Sequence, residues 1–295
     1  MRILTANKTD EETTKMTYGI PYKGSKNKIA REIIEQIPAA DCFIELFAGG
    51  CAITHAALLS GKFKRIIAND FQVQYPLLFR DAWTNKLPAQ FNRFVSREEF
   101  FAKKDKDAIV ATCFSFGNNC RSYLYNPQME KVKGLAHRMI VAEDWKERRK
   151  LYIQFVKALK ENVDLVNELE RLESLERLER LERLERHKKG GGELEIGNYD
   201  YKDFPLLENA VVYCDVPYEN TAQYDAYFRH SEFWEWAREQ AKNHLLFVSE
   251  YTAPDDFVPI WEKKKLCSMS ATNNSKKTVE KLFVHKSQFK KLNLL

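Results

Sequence analysis

The chain has 295 residues, of which 44% are hydrophobic and 13% aromatic, which is enough for a substantial core and excludes an intrinsically disordered chain. The net charge is only +5, so any binding of nucleic acid has to come from a local basic face and not from bulk charge. No signal peptide and no long apolar span is found, so we expect a cytoplasmic protein without a membrane segment.

The first elements follow a polar segment, residues 1–17, that predicts a loose arm. A Pro-Tyr-x-Gly-Ser-Lys stretch at residues 21–26 then precedes isoleucines at 29, 33, 34 and 37, a spacing that predicts an amphipathic helix. The amino terminus of a helix with lysines beside it favours a carboxylate ligand.

Two apolar runs predict neighbouring strands. The run at residues 43–46 leads into a glycine turn at Gly49 and Gly50 and then into an apolar helix, and such a turn lets a ligand approach the backbone closely. The run at residues 66–69 ends at Asp70, a placement that suits the binding of ribose hydroxyls in nucleoside-binding α/β folds.

The region from residue 75 to residue 138 has a different texture. It contains several phenylalanines, for which core packing is the expected role, and a stretch at residues 112–127 that is rich in turn formers, aromatics and amides. Asn118, Asn119, Arg121 and Tyr123 lie within that stretch.

Leu-Glu-Arg repeats occupy residues 175–186. A helix is predicted to start near Asp144 or Trp145 and to run about 60 Å at ~1.5 Å per residue. Because leucine recurs every third residue, the leucines should spiral around the helix and form no single buried stripe. Four glutamates each precede an arginine by four residues, a spacing that favours ion pairs on an exposed helix. The favoured interpretation is therefore a solvated, repeat-expanded helix that the protein tolerates. A DNA-contacting or dimerising arm is the alternative.

The most informative motif is Asp215-Val216-Pro217-Tyr218, which follows a buried strand at residues 210–214. The acid can accept hydrogen bonds, Pro217 stiffens the turn, and Tyr218 offers a flat face, so a planar amino-bearing ring such as adenine fits. A β-turn with a capping acid is the alternative. A helix capped by Ser231, a strand at residues 244–249 and a terminal hairpin should follow.

Taken in order, these motifs resemble those of the Dam-like (D12 class) DNA adenine-N6 methyltransferases, in their phage-type branch. The resemblance covers residues 18–285 apart from the repeat insertion. The family's Asp-Pro-Pro-Tyr is Asp215-Val216-Pro217-Tyr218 here, and the valine keeps its carbonyl. The family's Phe-x-Gly-x-Gly ends in Cys51 here, for which an ordinary backbone conformation is expected.

The resemblance implies an α/β fold: a Rossmann-like class I methyltransferase sheet with helices on both faces, and an inserted, mainly helical target-recognition subdomain carrying a long exposed helix. The expected boundaries are 1–17 for the arm, 18–74 and 194–295 for the two parts of the catalytic domain, and 75–193 for the recognition insertion with the repeat helix.

The implied cofactor is S-adenosylmethionine, with S-adenosylhomocysteine as product and no metal. The six cysteines likewise show no C-x-x-C pair and are expected to be reduced and structural. A segment at 196–201 resembles the family's third cofactor motif, although an Asx turn is the alternative for its acid, Asp200. The cofactor-binding residues implied are Tyr22, Lys26, Glu45, Phe47, Ala48, Gly49, Gly50, Asp70, Asp200, Tyr201 and Asp215.

For catalysis, the resemblance implies that the Asp215 carboxylate and the Val216 carbonyl accept the two amino protons of a flipped-out adenine, while Tyr218 stacks on the base. Duplex DNA is the expected partner, with contacts from Lys23, Asn118, Asn119, Arg121, Tyr123, Lys276 and Lys277. Asn118, Asn119, Arg121 and Tyr123 are expected to contact the DNA or to support the flipped base. For Lys276 and Lys277, a solvated hairpin tip is favoured and phosphate contact is the alternative. The phage-type branch implies the cytosol of a bacterial host.

Two other functions stay open from the sequence. An amino methyltransferase could act on RNA or on a protein amide, and a silent DNA-binding protein could keep the same scaffold. The sequence is compatible with a monomer or a dimer, and with a cognate restriction endonuclease or none.

Overall fold

The computed structural model describes residues 16–161, 172–186, 192–218, 228–266 and 277–292. The strands in these ranges are β1 (Ala40–Glu45), β2 (Phe63–Asn69), β3 (Glu193–Gly197), β4 (Val211–Asp215), β5 (Leu245–Glu250), β6 (Phe257–Leu266) and β7 (Lys277–His285). They form one sheet in the order β3-β2-β1-β4-β5-β7-β6. Strands β1 to β5 are parallel, and β7 lies antiparallel between β5 and β6. Strands β6 and β7 form a terminal hairpin as predicted, but its first strand lies at Phe257–Leu266 and not at 266–269, of which residues 267–269 lie outside the described ranges.

The helices in the described ranges are α1 (Ala30–Gln36), α2 (Ala52–Ser60), α3 (Gln74–Trp83), α4 (Arg97–Lys103), α5 (Ala108–Cys113), α6 (Pro127–Val141), α7 (Trp145–Lys160), α8 (Glu173–Arg186), α9 (His230–Asn243) and α10 (Phe289–Leu292). Asp144 caps α7 as predicted, whereas Ser231 lies inside the first turn of α9 and Arg229 holds the cap position. Among the helices of these ranges, none is long and apolar enough to cross a membrane.

Helices cover both faces of the sheet. Successive residues of a strand point to opposite faces, so Phe43 joins the core that contains α1, α2 and α3, while Ile44 joins the core against α9. Strands buried on both sides explain the apolar runs seen in the sequence. The predicted Rossmann-like α/β fold is confirmed.

The chain order places a crevice between β1 and β4. Strands β2 and β3 extend the sheet on one side of β1, and β4 and β5 extend it on the other. Open α/β sheets bind ligands at such a switch point, beyond the carboxyl ends of the strands. Glu45 ends β1 and Asp215 ends β4 at this edge.

The prediction of a solvated repeat helix is wrong. Helix α7 ends at Lys160 and the repeat helix α8 begins at Glu173. Helix α8 packs against α3 and α5, and all four of its leucines are buried (Leu175, Leu178, Leu181 and Leu184). Leucines three residues apart rotate by about 60° per repeat, so four of them span about half of the helix circumference. A helix that lies in a groove between other helices buries about half of its circumference. The periodicity of the sequence alone does not show that such a groove exists.

The arginines of α8 also differ from the prediction. Arg177 donates to the carbonyls of Cys113 and Ser115, and Arg180 donates to those of Tyr18 and Gly19. Of the four predicted pairs, Glu179–Arg183 is seen as an exposed ion pair at 3.7 Å, while Glu173 binds Lys133 at 2.9 Å. The repeat therefore anchors the helix to the protein body.

Candidate active site

Asp215 lies at the centre of a buried charge network. The Nζ atom of Lys26 is 2.6 Å from its carboxylate and 3.5 Å from the carboxylate of Glu280 on β7. Lys26 is 3% exposed and Glu280 is fully buried. Attraction by the two carboxylates outweighs burial, so the pKa of Lys26 is raised although burial, the largest single influence, lowers it. The network joins two acidic side chains to one lysine.

Tyr218 is held by the same network. Its hydroxyl donates to Glu280, the Nζ atom of Lys26 lies 4.5 Å from the centre of its ring, and the ring of Tyr251 lies 4.4 Å away. Burial raises the pKa of Tyr218 well above its usual value, so the phenol stays neutral. Glu280 and Tyr251 were missed in the sequence, because nothing in their local pattern indicates that β5 and β7 bring them to Asp215.

Glu45, at the end of β1, is buried beside the start of α2. Its carboxyl accepts hydrogen bonds from the backbone N–H and the hydroxyl of Thr54. Burial, which outweighs those hydrogen bonds, raises the pKa of Glu45 to about 8.

The glycine turn after β1 is shaped by Tyr22. A Cβ atom at Gly50 would lie 2.5 Å from Cβ of Tyr22, and one at Gly49 would lie 3.0 Å from its ring. Gly49 also has a positive φ of 44°. Glycine is needed at both positions, which brings Tyr22 and the turn together as the sequence predicts.

Cys51 corrects the sequence prediction at this turn. It has φ 56° and ψ 36°, the left-handed conformation, and not the ordinary conformation expected of a cysteine. Its N–H donates to Ala48 at 2.6 Å, and its side chain is fully buried. The turn geometry thus matches that of a glycine, at a cost of about 1–2 kcal/mol for the side chain.

Asp70 follows β2 and fastens the glycine turn. Its carboxylate accepts the N–H groups of Gly49 and Gln72, each at 2.7 Å. Burial raises its pKa, and the two backbone hydrogen bonds oppose that rise. A carboxylate has about four acceptor positions, so lone pairs remain for ligand hydroxyls.

Aromatic side chains flank this edge of the sheet. Phe71 is 80% exposed and Tyr199 is 49% exposed, and both follow strands that end at the crevice. Asn198 donates to the carbonyls of Asp70 and Phe71 at 3.0 Å and so fixes the loop after β2. Phe71 was missed in the sequence, where its position directly after Asp70 was the available signal.

Asp200 and Tyr201 take different environments. Asp200 is exposed and accepts the N–H of Lys202 at 3.0 Å, the Asx turn that was its alternative. Tyr201 is 8% exposed and packs among the rings of Phe47, Phe228 and Phe233. Tyr201 and Phe47 therefore support the crevice from the core.

The expected recognition stretch forms a short hairpin with an antiparallel bridge between Ser115 and Tyr123. Asn119 caps the turn by accepting the N–H groups of Arg121 and Ser122, and Asn118 donates to the carbonyl of Thr112. Tyr123 is 6% exposed and bonds the carbonyl of Val95. Arg121 is exposed at the tip.

The phenylalanines of this region divide between the core and the surface. Phe100 and Phe114 are fully buried as expected, whereas Phe101 is 51% exposed and Phe116, in the hairpin, is 62% exposed. Lys23 is also exposed, and its N–H bonds the carbonyl of Asn118, which joins the hairpin to the segment before α1. Lys276 and the side chain of Lys277 lie outside the described residues.

The comparisons with known proteins give one family. The family model described as D12 class N6 adenine-specific DNA methyltransferase matches residues 22–289. No curated protein sequence matches the chain.

Two solved structures of the rRNA methyltransferase aviRa from Streptomyces viridochromogenes are similar to this chain at 12% identity, with TM-scores of 0.40 and 0.37. The superpositions cover 92% and 88% of this chain and 89% and 84% of the other chain.

Proposed function

The chain belongs to the D12 class of N6 adenine-specific DNA methyltransferases, and from this membership we propose that it methylates the N6 amino group of a flipped-out adenine in duplex DNA, using S-adenosylmethionine. The observation that supports this best is the position of Asp215. It stands at the carboxyl end of β4, beside the switch point, in a network with Lys26 and Glu280.

The residues at the ends of β1 and β2 fit the proposed cofactor. S-Adenosylmethionine carries a cationic amino group, ribose hydroxyls and an adenine ring, and it supplies an electrophilic methyl group on a sulfonium. Glu45 and Asp70 are carboxyl groups that suit the first two features, and the exposed ring of Phe71 suits the third. At the turn of Gly49 and Gly50, Tyr22 occupies the space where Cβ atoms would lie, which places Tyr22 beside the proposed cofactor.

The N6 amino group of adenine is a weak nucleophile because its lone pair is conjugated with the ring. The protein therefore has to increase its reactivity towards the methyl group. Acceptors at Asp215 and the Val216 carbonyl would bind the two amino protons and direct the lone pair out of conjugation. Positive charge develops on N6 during transfer, and the carboxyl groups of Asp215 and Glu280, gathered around Lys26, are placed to offset it. Preorganised groups of this kind supply about 3–4 kcal/mol each.

Three further features belong to this proposal. Residues 75–193 form the recognition part, with the hairpin around Arg121 facing the DNA and Lys23 beside it. Residues 18–74 and 194–295 form the catalytic part. Leu178, Leu181 and Leu184 of α8 join the same core as β1 and α2, so we place the repeat helix at the junction of the two parts.

The decisive experiment measures methyl transfer from labelled cofactor to duplex DNA, RNA and protein, followed by long-read methylation mapping of DNA from cells that express the chain. N6-methyladenine at a defined site is expected. Methylation of RNA or protein alone would contradict the proposal and favour the open alternatives, and binding of DNA without turnover would indicate a silent protein.

Asp215→Ala tests the assigned residue. We expect single-turnover methylation to fall at least about a hundred-fold with cofactor affinity nearly unchanged, because the carboxylate acts in the transition state. Asp215→Asn should be milder, since the amide oxygen still accepts a hydrogen bond. Asp255→Ala, at an exposed acid, is the matched control. A normal single-turnover rate in Asp215→Ala would show that the assigned mechanism is wrong.

A further inference from the structure

Helix α7 is strongly basic. Its 16 residues include six lysines or arginines and one glutamate, a net charge of +5. It therefore offers a local basic face of the kind that binding of a polyanion requires in a chain of low net charge. The sequence analysis did not single it out.

The cations of α7 lie on its outer face. The opposite face packs Leu151, Phe155, Ala158 and Leu159 against Val132 and Leu135 of α6. Trp145 is 64% exposed and Ile153 is 60% exposed between the cations. The outer face of α7 is defined by five exposed cations: Lys146, Arg149, Lys150, Lys157 and Lys160.

None of these five cations forms an ion pair with a residue in the described ranges. Lys131 on α6, by contrast, binds Glu161 at 3.0 Å, and Arg148 on α7 is bonded to the carbonyl of Ala142. Like charges three and four residues apart on a helix destabilise it by about 0.2–0.5 kcal/mol per pair. A bound polyanion would reverse that repulsion.

The position of α7 relates it to the recognition hairpin. Helix α6 begins at Pro127, directly after the hairpin, and α7 runs back along it, as the contact between Lys131 and Glu161 shows. Lys157 and Lys160 therefore lie at the hairpin end of the pair, and Lys146 lies one helix length away. A 16-residue helix is about 24 Å long, which corresponds to about 7 base pairs of duplex at ~3.4 Å each.

We propose that the outer face of α7 binds the sugar–phosphate backbone of duplex DNA that flanks the methylated site. This rests on the proposed function and adds a second contact, which reads no sequence because lysine and arginine meet phosphates and not base edges. Its effect is to strengthen binding of long DNA and to leave the methyl-transfer step unchanged. Exposed cations beside an accessible tryptophan suit a nucleic-acid backbone better than the dry, apolar centre of a protein interface.

The test compares the triple variant K146Q/R149Q/K150Q with the control K286Q/K290Q/K291Q. The control removes the same charge close to the carboxyl end of β7. Because β7 is antiparallel to β5, this end lies at the edge of the sheet opposite to the one that carries Asp215. Binding and methylation are measured on two duplexes that contain the methylated site, one of about 12 and one of about 30 base pairs.

We expect the α7 variant to bind the long duplex about ten- to a hundred-fold more weakly, with the magnitude of its log–log salt slope reduced by up to about 3. Binding of the short duplex, cofactor affinity and the single-turnover rate should match wild type. The control variant should behave like wild type on both duplexes.

An α7 variant that binds the long duplex as wild type does would overturn the proposal, as would an equal loss on both duplexes. A failure of the proposed function gives a distinct result, because the wild-type protein would then methylate adenine in neither duplex.

Discussion

Arg180→Ala and Arg183→Ala form a matched pair that tests whether α8 is anchored to the protein body. Both arginines stand in identical Leu-Glu-Arg surroundings on one helix. Arg180 donates to the carbonyl of Gly19 at 2.9 Å and to that of Tyr18 at 2.6 Å. Burial lowers its pKa to about 10. Arg183 is 53% exposed and pairs with Glu179.

The magnitudes follow from these contacts. A hydrogen bond from a charged group contributes about 1.5–3 kcal/mol, and two are lost in Arg180→Ala, partly offset because a buried guanidinium returns to water. We expect a loss of about 3 kcal/mol in the free energy of unfolding. Arg183→Ala should lie within about 0.5 kcal/mol of wild type, since exposed ion pairs contribute little.

Urea denaturation at neutral pH measures both values. Cofactor affinity should also fall in Arg180→Ala, because Tyr18 and Gly19 lead into the segment that carries Tyr22 and Lys26, and Ile20 bonds the carbonyl of Gly50 at 2.9 Å. Equal stability of the two variants would refute the reasoning and restore the solvated helix that the sequence predicts.

Three further predictions concern the crevice. Glu45 has a pKa that is higher in the folded than in the unfolded chain, so it stabilises the fold fully below its unfolded pKa and less as pH rises. Between about pH 5 and 8, the unfolding free energy of wild type should therefore fall relative to that of Glu45→Gln by up to ~1.4 kcal/mol per pH unit. Urea denaturation of both proteins at each pH measures this, and the same pH dependence in both would contradict it. Cys51→Gly should stay within about 1 kcal/mol of wild type because it relieves left-handed strain, whereas Cys51→Val should cost at least about 2 kcal/mol in thermal or urea unfolding; equal costs would count against the strain. Glu280→Gln should slow single-turnover methylation about ten-fold at unchanged cofactor affinity, since Lys26 loses one of its two carboxylates while the amide still accepts the Tyr218 hydroxyl; an unchanged rate would remove Glu280 from the site.

Local patterns sufficed for the elements that carry their own signal. The apolar runs ending at Glu45, Asp70 and Asp215 identified strands and the edge at which they meet, since strands buried on both faces need continuous apolar residues. The glycine turn was recognisable because positive φ and close packing against Tyr22 exclude a side chain at Gly49 and Gly50. Cys51 shows the limit of this reasoning, because the surrounding turn holds a cysteine in a conformation that its type disfavours.

The sequence by itself determined the α/β class, the order of the motifs and the acid at the end of β4, because each is encoded within a few neighbouring residues. Only the tertiary structure decided that Glu280, which follows Asp215 by 65 residues in the chain, contacts Lys26 and Tyr218. It also decided that the Leu-Glu-Arg helix is buried. A period of three gives no single stripe on a free helix, but a groove between α3 and α5 covers half of its surface, and contacts between distant segments set that environment.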